Sequence, residues 1–81
     1  MTVNEILAKM KETIVDRLEV NPSQITMESD FINDLGADSL GKFELVADLE
    51  ELFDIDISEE AQDEILTVGD AVKYINKTLN A

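Results

Sequence analysis

Apolar residues in this chain recur every three or four positions through separate segments, and no stretch alternates apolar with polar residues as a half-buried strand requires. That period confines the chain to helices that each bury one stripe. From Val3 to Leu18 the stripe is Val3, Ile6, Leu7, Met10, Ile14 and Leu18. Thr2 stands at the cap position, and Asn21-Pro22-Ser23 closes the helix, because proline disfavours helical geometry in the residue before it. From Ser39 to Phe53 the stripe is Leu45, Val46, Leu49, Leu52 and Phe53, followed by an acidic turn at Asp54 to Asp56. Ser58-Glu59-Glu60 reads as the cap and first turn of a short helix ending near Ile65. Thr67-Val68-Gly69-Asp70 has the form of a capping box with aspartate in place of glutamate, and it opens a last helix carrying Val68, Ala71, Val72, Ile75 and Leu79. Between the first two long helices lies a long loop, residues 21–38, too apolar for disorder, with Ile25, Met27, Phe31, Ile32 and Leu35 as inward anchors and Gly36 as its flexible point. The expectation is an all-α fold: a small four-helix bundle of three longer helices and one short one, in a single domain over residues 1–81.

Such a chain must be held by packing alone. It has no cysteine for crosslinks and no histidine, so a cysteine/histidine metal site is excluded as well. Without those residues the usual nucleophile and base arrangements cannot be assembled, and self-contained catalysis is not expected. Carboxylate pairs are no counter-argument, because nineteen acids on so small a surface produce close pairs by chance. The segment from Asp30 to Gly41 has acids and glycines at loop-like density. An EF-hand register fails there: Gly36 at its sixth position puts Phe31 first, and Gly41 there puts Gly36 first. Diffuse binding of divalent cations by the acidic surface stays open, and no metal site is expected.

The formal charge of −13 decides which partners are excluded. A field of that sign repels phosphate backbones and anionic headgroups, so neither nucleic acid nor a membrane surface is an expected partner. It attracts proteins that present Lys/Arg patches. The first residues lack a positive leader with an apolar run, and no 18 consecutive residues are apolar, which points to a cytoplasmic protein, expected to be monomeric.

Chemistry concentrates at Gly36-Ala37-Asp38-Ser39-Leu40, the junction of the long loop and the second helix. Asp38 and Ser39 are both good caps, and plain capping is the bland reading of three such letters. If Asp38 caps, Ser39 is left exposed at the first turn, where unpaired backbone N–H groups favour a phosphate. At about 100° per residue, Leu40, Glu44, Ala47, Asp48 and Glu51 point away from the apolar stripe and make an acidic face beside Ser39. Seven acids stand against Lys42 between Asp38 and Asp56, so docking there is expected to be salt-sensitive.

Phe31 to Leu35 followed by this serine motif, then Phe43 to Val46, Leu49 to Phe53, the turn Asp54 to Ile57 and the run Thr67 to Ile75, resembles the acyl carrier proteins of dissociated (type II) fatty acid synthesis in order and spacing. The resemblance implies that Ser39 receives 4′-phosphopantetheine from coenzyme A through a phosphopantetheinyl transferase, and that acyl chains ride on the arm's thiol. It implies a partner surface of Asp38, Leu40, Glu44, Ala47, Glu50, Glu51 and Asp56 for basic-surfaced fatty acid synthesis or acyltransferase enzymes, to which the helical spacing adds Asp48. It also implies that acyl chains fold back between the helices, with Phe31, Val46, Leu49, Ile65, Ala71 and Val72 as candidate lining residues, which plain core packing explains equally well. Gly41, Lys42 and Ala47 depart from the residues common in the family. Two alternatives therefore stay open: a specialised carrier for polyketide or other acyl or aminoacyl transfer, and an unmodified acidic interaction module.

Overall fold

A computed structural model describes residues 1–80. Helix α1 spans Val3–Leu18, a 3-10 turn Pro22–Gln24, α2 Ser39–Phe53, α3 Glu59–Glu64 and α4 Val68–Leu79. This is the expected all-α bundle, with α1 packed against both α2 and α4. Among the described residues the extended pairing is an isolated bridge between Asp30 and Thr67, and no helix is long and apolar enough to cross a membrane.

Each long helix begins on a side chain that satisfies backbone donors left over by helical geometry. Thr2 and Glu5 form a reciprocal capping box on α1: the Glu5 N–H donates to Thr2 Oγ1 at 3.2 Å and the Thr2 N–H to Glu5 Oε1 at 2.9 Å. Thr67 and Asp70 do the same for α4, as the sequence pattern predicts. Ser58 caps α3 through the Ala61 N–H. The end of α1 differs from expectation. It stops at Leu18, where Glu19 turns left-handed (φ 55, ψ 41), so proline is not what closes it. Pro22 instead opens the 3-10 turn, capped by Asn21, where its missing N–H has no cost.

Ile6, Met10, Ile14, Leu45, Val46, Leu49, Phe53, Val68, Ala71, Val72 and Ile75 supply the helical part of one core, and Ile25, Phe31, Leu35, Ala37, Ile57 and Ile65 seal it from the connecting segments. Four expected members stay exposed: Val3, Ile32, Leu52 and Leu79. Val3 is the first residue of α1 and Leu79 the last of α4, Leu52 sits at the edge of the α2 stripe, and Ile32 is on the outer side of a turn.

The long loop is fastened by backbone bonds to the α3–α4 junction. Phe31 N–H donates to Leu66 O at 3.1 Å, Val68 N–H to Ser29 O at 2.9 Å and Gly69 N–H to Met27 O at 2.7 Å. The last contact explains a glycine inside a helix: a Cβ at Gly69 would lie 2.7 Å from the Met27 carbonyl oxygen. Buried Ser29 is satisfied by donating to Gln24 O at 2.8 Å. The loop thus holds a fixed path to α2.

Candidate functional site

The path into α2 is set by three consecutive residues with different tasks. Gly36 takes φ +76, open to glycine at little cost; Ala37 is buried, and its N–H donates to Phe31 O at 2.9 Å; Asp38 is the N-cap. Asp38 Oδ1 accepts the Gly41 N–H, and its carbonyl accepts the Lys42 N–H at 2.9 Å. The cap is therefore the aspartate, at 2.6 Å from Gly41 N, and Ser39 follows as the first helical residue, exposed. The N–H groups of Ser39 and Leu40 have no acceptor within the helix by geometry alone.

Beside Ser39 lies a cleft of about 230 Å³ lined by Ile32, Ser39, Lys42, Phe43, Gln62 and Asp63. Exposed serine hydroxyl, lysine ammonium and aromatic face thus meet in one recess between α2 and α3. Phe43, 56% exposed, lies outside the residues that the sequence assigns to the site. Its position on the helix puts it almost directly above Ser39, a signal available from spacing had exposure of an aromatic been anticipated. Lys42 on the wall and unpaired N–H groups at the rim suit a phosphodiester, and the Asp63 carboxylate on the same wall is the opposing charge that Lys42 offsets. Among the described residues no group of three or more His, Cys, Asp or Glu side chains is placed to hold a metal ion.

The acidic face of α2 divides into a ridge and two shoulders. Leu40, 65% exposed, Ala47 and Glu51 point outward. Glu44 and Asp48 sit on the shoulder toward α1, where Arg17 meets both: its Nε and Nη2 donate to the two Asp48 oxygens at 2.7 and 2.9 Å, and its Nη1 donates to Glu44 Oε2 at 3.2 Å. The hydrogen bonds that Arg17 donates to Asp48, and then the charge of that carboxylate, raise the pKa of the guanidinium further. Nothing in the local sequence marks Arg17, because the pairing spans 31 residues. Glu50, on the opposite shoulder, is half-buried, and its Oε2 accepts the Ile57 N–H at 3.0 Å, tying α2 to the segment that leads into α3. Asp56 is exposed in that segment, with its carbonyl accepting from the Tyr74 hydroxyl at 3.4 Å.

The six candidate acyl-lining residues, Phe31, Val46, Leu49, Ile65, Ala71 and Val72, are brought together in the buried core. They are closely packed side chains here, and the cleft beside Ser39 is lined by others.

The family profile described as phosphopantetheine attachment site matches residues 8–75. The chain is 43% identical over 79 residues to the acyl carrier protein of Phenylobacterium zucineum strain HLK1, covering 98% of this chain and 100% of that one. It is 46% identical over 78 residues to the acyl carrier protein of Karelsulcia muelleri strain GWSS, covering 96% and 94%. Among solved structures, the acyl carrier protein from Enterococcus faecalis superposes with a TM-score of 0.79 at 38% identity, covering 95% of this chain and 98% of that chain.

Proposed function

This chain belongs to the acyl carrier proteins, and from that premise we propose that Ser39 is the residue that carries the arm. The protein is a carrier in fatty acid synthesis rather than an enzyme, its prosthetic group is 4′-phosphopantetheine, and it works with the enzymes of that synthesis. The group supplies the thiol on which acyl chains are held, which a chain without cysteine cannot supply itself.

The observation that carries the reading is the division of labour between Asp38 and Ser39. Asp38 closes the helix end through the Gly41 N–H, so the neighbouring hydroxyl is left exposed at a rim of unpaired N–H groups. Lys42 and Phe43 line the recess next to it and would flank the phosphodiester and the pantetheine arm. Ser39 must lose its hydroxyl proton on attachment. With no histidine in the chain and Asp38 engaged in the cap, the accepting base belongs to the transferase. A basic partner would approach along Leu40, Ala47 and Glu51, with Asp38, Glu44, Asp48, Glu50 and Asp56 around them, and self-repulsion from 13 net negative charges favours a monomer. We assign one carrier domain over residues 1–81, acting in the cytoplasm.

The experiment is an intact-mass measurement after incubation with coenzyme A and a phosphopantetheinyl transferase. The wild-type chain gains one phosphopantetheinyl group and Ser39→Ala gains none; attachment at another serine, or none at all with active transferase, refutes the assignment. Lys42 in the recess, with Gly41 and Ala47, favours a second reading as a specialised carrier, and the acyl thioesters on protein recovered from its host distinguish the two.

A further inference from the structure

Arg17 crosses from the last turn of α1 to α2 and engages two carboxylates on the face that a basic partner approaches. Its fork is bidentate on Asp48, the ion-pair geometry that loses least side-chain freedom per bond, and its remaining Nη1 reaches Glu44. We propose that Arg17 is a specificity-determining residue that holds Glu44 and Asp48 back from partner proteins, so that the basic patch of a partner meets the ridge and far end of α2 instead. The inference rests on the carrier reading above and refines its docking surface.

The physical reason is competition for the same oxygens. A partner lysine or arginine can pair with Glu44 or Asp48 only by sharing or displacing a cation already 2.7 to 3.2 Å away. With Asp16 beside them, the α1 shoulder therefore presents three carboxylates and one guanidinium, a net charge of −2. Toward the other end, Glu51, Asp54, Asp56, Glu59 and Glu60 are all exposed, and no cation lies within ion-pair distance of them among the described residues. The attraction is thereby moved along α2 from the Ser39 end toward the α2–α3 connection. The other charged group beside Arg17, Asp16 on α1, lines the same cleft of about 290 Å³ with Thr13 and Asp48 and is also acidic, so no second cation shares the duty.

Removing the cation releases both carboxylates. In transferase assays at low salt, Arg17→Gln is expected to lower KM for the chain by about threefold or more with kcat unchanged, and the difference is expected to vanish at ~1 M salt, where screening acts within about 3 Å. Arg17→Lys, which keeps the charge, stays near wild type. A KM for folded Arg17→Gln that equals or exceeds the wild-type value at low salt overturns the proposal. If Arg17→Gln does not fold, the wild-type background gives a second test: Glu44→Gln raises KM less than Glu51→Gln, and an equal or larger rise for Glu44→Gln overturns it. These outcomes require that wild type be modified. Failure of modification in wild type refutes the carrier reading instead, so the two failures are distinguishable.

Discussion

At the scale of single residues, adjacent side chains of similar chemistry perform different work because the backbone places them differently. Asp38 and Ser39 are both capping residue types, yet the extended backbone of Asp38 (φ −89, ψ −179) turns its carboxylate onto the Gly41 N–H, while Ser39 is already helical. Asp38→Ala is expected to cost about 1 kcal/mol and to slow arm attachment by disordering the entrance of α2, read as a lower urea midpoint together with reduced transfer to Ser39. An unchanged midpoint would mean that the cap is not needed. Gly69 makes the opposite case, a glycine chosen for space. Gly69→Ala drives a methyl against the Met27 carbonyl oxygen, a backbone atom that cannot swing aside. A loss of about 2 kcal/mol is expected despite the better helix propensity of alanine, and a stabilised variant would show that the loop can retreat.

At the scale of elements, caps and connections make the helices depend on pH. Asp70 is pushed up by its burial, but the N–H groups of Leu66 and Thr67 outweigh this and hold its carboxyl below the ordinary 3.8. Asp30 lies below the same value because the Asn33 and Ile32 N–H groups bind it, and Glu5 lies below 4.5 through the Thr2 backbone and hydroxyl. A carboxyl whose folded pKa is depressed stabilises fully above its unfolded pKa, near 4, and that stabilisation is lost as pH falls through the folded value. Acid should therefore loosen α1, the turn at Asp30 and α4 through their caps. Asp70→Asn, which cannot titrate, should show a flatter fall of urea midpoint between about pH 5 and pH 2; a curve parallel to wild type would remove Asp70 from the acid transition. Because Leu66 and Thr67 also receive the long loop through Phe31 and the Asp30 bridge, loss of this cap should reach the Ser39 entrance as well.

At the scale of the whole molecule, a small core works against a large charge. Thirteen net negative charges on 81 residues repel one another in the folded state, and among the described residues Arg17 with Glu44 and Asp48 supplies the ion pairing across helices. Raising monovalent salt at neutral pH should raise the melting temperature of the unmodified chain, because screening self-repulsion outweighs weakening one exposed ion-pair cluster. A gain of 1 kcal/mol corresponds to about 4–8 °C for a domain of this size. A flat or falling melting temperature would show that charge does not limit stability. A field of this sign also speeds encounter with any basic surface, so the property that strains the fold is the one on which the proposed docking relies.

Periodicity and capping chemistry in the sequence determined the number of helices, the starts at Thr2, Ser58 and Thr67, and a cap for α2 at Asp38 or Ser39, which the backbone of Asp38 then decided, because these depend on neighbours within four residues. The end of α1 escaped that reading, since Glu19 takes a left-handed turn that its residue type does not advertise. So did the exposure of Leu52, because a stripe counted along a helix does not show where its neighbours stop covering it, and of Ile32, because a loop residue's apolarity does not say which side of a turn it takes. Tertiary structure alone decided that Gly69 faces Met27, that Ile32, Gln62 and Asp63 close a recess over the α2 turn carrying Ser39, Lys42 and Phe43, and that Arg17 claims Glu44 and Asp48. Each of these is a contact between elements far apart along the chain, and its geometry exists only after the helices have packed.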